Sequence, residues 1–106
     1  MTDSSEISSA ELDAIDRRSN LASPSPWTAF VEGRDHSSGD TFIKIGVEHD
    51  DTHDMYVTVS KAGEGTKTAS AIDLDFIAHA RQDIPRLIEE VRRLKRLLAD
   101  SADGEK

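Results

Sequence analysis

The chain contains no cysteine, so neither a disulfide scaffold nor a cysteine-ligated zinc site is available to it. Ring side chains are scarce as well: Trp27, Phe30, Phe42, Tyr56 and Phe76 are the only Phe, Trp and Tyr among 106 residues. That supply supports a modest core, and a core of this size often needs a second copy of the chain to be stable. No apolar run approaches ~18 residues, which excludes a helical membrane span. The N-terminal stretch MTDSSEISSAELDAID has neither the basic nor the apolar region of a signal peptide, so a soluble, cytoplasmic protein is expected.

Positive charge is in deficit, and what there is sits in one place. The formal net charge is -8, yet Arg81, Arg86, Arg92, Arg93, Lys95 and Arg96 crowd residues 81–99 against only Asp83, Glu89 and Glu90. An acidic body repels the phosphate backbone over most of its surface, which argues against binding duplex nucleic acid. A local anion site on the C-terminal segment remains open.

The pattern along the chain is α+β. Residues 8–20 read as a short helix capped by Ser8 or Ser9, with Glu11 in its first turn and a narrow apolar edge of Leu12 and Ile15. Pro24 and Pro26 end it. Trp27–Glu32, Thr41–Glu48 and Met55–Lys61 alternate as strands, and their spacing predicts a three-stranded antiparallel meander. Ala62–Ala71, rich in Gly, Thr and Ser, reads as a flexible connection. Two C-terminal helices are expected to follow. The first runs from Asp73 to about Arg81 with Phe76, Ile77 and Ala80 facing the sheet. The second is capped by Asp83, starts with Pro85 in its first turn, and runs to Asp100. The corresponding division is a polar segment over 1–26, an α+β domain over 27–100 and a disordered tail over 101–106. In the last helix Leu87, Val91, Leu94 and Leu98 form a seam that fits a helical partner.

Pro24, Pro26 and Trp27, followed by the element from Asp73 through Leu94 (DLDFIAHARQDIPRLIEEVRRL), resemble small phage and prophage accessory proteins of the actinophage type and the Ead/Ea22-like phage early proteins. A small sheet followed by helices also resembles, in layout, the Thoeris anti-defence sponges of phages. That likeness implies a homo-oligomer in the cytoplasm of a bacterial host that sequesters a cyclic nucleotide or ADP-ribose-type immune signal without cleaving it. The chain departs from that pattern in having no Asn near Asp73 or Asp75.

Under that reading Arg92 and Arg96, four residues apart on one side of the last helix, would clamp a pyrophosphate at a subunit boundary. Arg81 joins them, and Trp27, Tyr56 and Phe76 are candidates to stack a purine. The alternative is a protein-interaction module of the early-protein type, working through the apolar seam. A sponge requires a pocket lined by arginine and an aromatic ring, whereas an interaction module requires an exposed apolar patch. The segment Glu48–Asp54, with His49 and His53, reads as a solvated turn, because no fixed helix brings both imidazoles onto one ion. Gly63–Thr68 lacks phosphate-loop spacing. No catalytic constellation, cofactor site or metal site is expected, so the chain reads as a non-enzyme.

Overall fold

The computed structural model describes residues 6–37, 39–46 and 53–104. Its elements are α1 (Ser9–Leu21), β1 (Trp27–Phe30), β2 (Phe42–Ile45), β3 (His53–Met55), β4 (Thr58–Lys61), β5 (Gly65–Thr68) and α2 (Ala71–Gly104). The class is α+β, as the residue pattern implies. Two compact units are present: Ser23–Gln82 is one, and α1 with the chain from Asp83 onward is the other.

In the first unit β1, β2 and β3 form an antiparallel sheet in that order, with Ile43 opposite both Ala29 and Met55. Alternate side chains of a strand leave opposite faces. Ile43 and Ile45 therefore point inward together, onto Leu74 and Ala78 of α2, with Trp27, Ala29, Val31, Met55, Val57 and Ile77 packed around them. Ile43 and Leu74 are fully buried. The alternation expected over Thr41–Glu48 thus has its isoleucine side, Ile43 and Ile45, buried.

The third expected strand, Met55–Lys61, is two strands. His53–Met55 pairs with β2, and Thr58–Lys61 turns to a new partner, Gly65–Thr68, in a separate hairpin. Alternation reports which face a side chain takes; it carries no information about which strand lies alongside. The supposed flexible connection supplies β5. Gly63 and Gly65 adopt φ of 83° and 71°, a region open to glycine, and so close a three-residue loop. The hairpin's residues are all exposed, which is why no apolar signal marked it.

The two expected C-terminal helices are one, and this corrects the reading of their joint. Asp83 is inside α2 and caps nothing, Arg81 does not end a helix, and Pro85 lies in the interior. An interior proline removes the hydrogen bond to the carbonyl four residues back, here that of Arg81, and costs ~3 kcal/mol. Helix formers on both sides, with Leu74, Ala78 and Ile88 buried along its length, keep α2 helical through that position. The inward side chains of its first turns are Leu74, Ile77 and Ala78. Phe76 is two residues from both Leu74 and Ala78, which turns it about 200° away from them, and it is 75% exposed. α2 also continues through residues 101–104, within the expected tail.

In the second unit α1 is capped as its sequence implies. The Ser8 hydroxyl accepts from the Glu11 N–H at 3.0 Å and the Glu11 carboxylate accepts from the Ser8 N–H at 2.9 Å, a reciprocal capping box. Leu12 and Ile88 are the buried apolar side chains of this unit among the described residues. Lys95 reaches the Ile7 carbonyl, and Arg92 reaches Asp13 and Asp16 further along α1, so the two helices run antiparallel.

Candidate functional site

The arginines are the first candidates, and the structure gives Arg92 and Arg81 partners. Arg92 donates one guanidinium nitrogen to Asp16 at 2.9 Å and the other to Asp13 at 2.8 Å. The Asp16 and then the Asp13 hydrogen bond raise the Arg92 pKa above its ordinary value, so this cation is engaged in docking α1. Arg93 grips Glu90 through two nitrogens at 3.0 and 2.6 Å, and that contact holds the Glu90 carboxyl below the usual range. Arg96 is exposed one turn beyond Arg92.

Arg81 belongs to a different construction. Its Nε donates to the Ser23 carbonyl at 2.8 Å, and the Trp27 indole donates to that same carbonyl at 3.2 Å. Beside it the Gln82 amide acts as a strand partner for β1: its oxygen accepts from the Trp27 N–H at 2.8 Å, while its nitrogen donates to the Trp27 carbonyl at 3.2 Å and to the Ala78 carbonyl at 3.1 Å. This corner pins the start of β1 to α2. Arg81 and Trp27 do meet, but on a backbone oxygen that both of them already use.

The three aromatic candidates diverge. Trp27 packs on the inner face of the sheet. Tyr56 lies on the outer face, its ring 5.7 Å from that of Phe42, which in turn stacks at 5.7 Å on Phe30. His36 completes this outer cluster, and the Lys44 ammonium sits 5.5 Å from the Phe30 centroid. Phe76 points away from the sheet altogether. No two of the three face one another across a common space within this unit, so the arrangement provides no purine sandwich there.

A shallow groove of about 630 Å³ runs along α2 and is lined by Asp83, Arg86, Leu87, Glu89, Glu90 and Arg93. Three carboxylates and two guanidiniums line it, so it is not an anion pocket. Beside it lies the apolar seam. The flank of α2 that carries Ile88 and Arg92 is covered by α1, but Leu87 is 62% exposed, Leu98 72%, and Ile84, Leu94 and Leu97 are also open. On a helix these residues fall on one stripe adjacent to the covered flank. Large apolar side chains gathered in this way mark an interaction surface.

Elsewhere Arg34 binds Asp75 of α2 bidentately at 2.8 and 3.0 Å and also bonds Asp35 at 2.8 Å. The Arg34 contact is the main cause holding both carboxyls below their ordinary range. Residues 47–52, which include His49 and most of the expected turn, lie outside the described residues, while His53 and Asp54 at its end belong to β3. Among the described residues no group of three or more His, Asp or Glu side chains is placed to hold a metal ion, and no helix is long and apolar enough to cross a membrane. No protein-family model, no curated protein and no solved structure matches the chain.

Proposed function

We propose that the protein is a non-enzymatic phage accessory protein that works as an interaction module, docking an amphipathic helix on the exposed stripe of α2. The observation that carries this reading is the row Ile84, Leu87, Leu94 and Leu98, which α1 leaves uncovered. Helix-in-groove recognition reads anchors at this kind of spacing. Two further points support it over a nucleotide sponge. Arg92, the first residue of the supposed phosphate clamp, already holds two carboxylates. The aromatic candidates also lie on different faces of their unit, so they form no purine sandwich there.

The test compares the wild-type chain with Leu87→Asp/Leu94→Asp, both checked for native helix content. A purified binding partner should be held by the wild type and released by the double variant. Equal binding by both proteins would remove the stripe from the function. In parallel, cyclic dinucleotides, cyclic trinucleotides and cyclic ADP-ribose isomers should leave the melting temperature unchanged. A ligand at 100 times its Kd adds ~2.7 kcal/mol to a folded protein that binds it. A shift of that size, abolished by Arg92→Ala/Arg96→Ala, would reinstate the sponge.

A further inference from the structure

We infer that the helix docking on this stripe is α2 of a second copy, lying antiparallel; the inference rests on the interaction-surface reading above. Two rows on α2 carry it. The apolar row Ile84, Leu87, Val91, Leu94 has steps of three, four and three residues. Alongside runs a charged row with the same steps: Asp83, Arg86, Glu90, Arg93. Its signs alternate minus, plus, minus, plus, so read backwards it is its own complement.

A two-fold axis across the helices sets each row against itself in reverse. Ile84 then meets Leu94 of the second copy and Leu87 meets Val91, which are the mixed layers of an antiparallel helix pair. In the same register Asp83 comes to Arg93 and Arg86 to Glu90. The charged row is out of step with the apolar one by two residues, about 3 Å of helix rise, which an arginine side chain spans. Such a contact is isologous, as closed two-fold dimers require. A parallel partner would instead set the charged row against the flank already occupied by α1.

The unit itself needs such a cover. Among its described residues Leu12 and Ile88 are the buried apolar side chains, while Leu87, Leu94, Leu97 and Leu98 face outward. A helix pair with so small a core lacks a second layer on which to pack. A second copy supplies that layer, and in this register its Asp83 and Arg86 extend the Glu90–Arg93 pair that each helix already holds.

The experiment is sedimentation equilibrium of the full chain from micromolar to sub-millimolar concentration, paired with cysteine cross-linking. The mass should rise to twice the 11.6 kDa of one chain. Leu87→Asp, at an exposed position that leaves the fold intact by circular dichroism, should return it to monomer. Arg86→Glu should weaken the dimer about ten-fold by turning symmetric attractions into repulsions, and adding Glu90→Arg should restore it. Because the chain has no cysteine of its own, Ile84→Cys mixed with Leu94→Cys should cross-link to each other under mild oxidation, and neither should do so alone. Monomer at every concentration overturns self-pairing while leaving heterologous docking on the stripe to its own test. A dimer indifferent to Leu87→Asp overturns the surface, and cross-links between identical positions overturn the antiparallel register.

Discussion

Gln82 is a small residue in chemical terms with a large structural assignment, and replacing it tests the account of how β1 is held. Gln82→Ala removes three hydrogen bonds, those with the Trp27 N–H, the Trp27 carbonyl and the Ala78 carbonyl. A net contribution of 0.5–1.5 kcal/mol each, reduced because half-buried groups regain some water, gives a loss of roughly 2 kcal/mol. In a domain of this size that lowers Tm by about 10 °C. Trp27 is the only tryptophan, so its fluorescence reports directly on the corner being loosened. Gln82→Glu is the sharper variant. It keeps the acceptor for the Trp27 N–H but loses both donors, and an ionised carboxylate then faces two carbonyl oxygens. At pH 7 it should be at least as unstable as the alanine variant. Those oxygens raise the pKa of the introduced carboxyl in the folded state. Folding therefore favours its protonated form, and its deficit relative to wild type should narrow as pH falls through that raised value. An alanine variant within ~0.5 kcal/mol of wild type, the range of an ordinary surface change, would refute the pin. A glutamate variant whose deficit is constant with pH would refute the geometry of its donors.

Leu74→Ala opens a cavity beside Ile43, Ile45 and Ala78 and should cost ~2–5 kcal/mol in urea unfolding, whereas Phe76→Ala, two residues away and outward, should stay within ~0.5 kcal/mol. Acid should destabilise the fold in a defined direction. Asp35 and Asp75 are held below their ordinary range by Arg34, and Glu11 by its Ser8 contacts. The unfolded chain thus takes up these protons first, so the stabilisation is complete at neutral pH and is lost as pH falls from the ordinary carboxylate range through the lower folded values. Arg34→Met should flatten that acid limb of the Tm profile by releasing the two aspartates, and an unchanged limb would show that the pairing does not contribute.

How much of this was legible in the chain depends on what each pattern encodes. The α1 cap and the alternation of β2 were readable, because they follow from local chemistry and a period of two. The division of Met55–Lys61 was not, since the alternation continues through Tyr56 and Val57 while the pairing partner changes from β2 at Met55 to the β5 side at Val57. The hairpin of β4 and β5 buries none of its strand residues and depends on the backbone freedom of Gly63 and Gly65, which composition presents as a loop. The continuous α2 is the instructive failure. Asp83 and Pro85 are good start signals taken locally, but tertiary burial of Leu74, Ala78 and Ile88 along one helix outweighs a proline's local cost.

The candidate site was half legible for a related reason. The seam of Leu87, Leu94 and Leu98 is a periodicity and survives folding as an exposed stripe. The arginine clamp rested on the four-residue spacing of Arg92 and Arg96 along one helix side, and spacing within a helix does not show which carboxylates the fold brings near. Asp13 and Asp16 lie more than seventy residues from Arg92 in sequence and Asp75 lies about forty from Arg34, so no local pattern announces either pair. In a chain with 21 acidic and 13 basic side chains, a cation near the surface has more acids to meet than it can avoid. An anion-binding role for such a chain therefore needs an arginine kept from the acids by position. Arg92 and Arg93 are not so kept, and Arg86 lies in a groove with three carboxylates. What the fold leaves over along α2 is apolar surface flanked by alternating charge, a combination suited to recognising another helix rather than a phosphate.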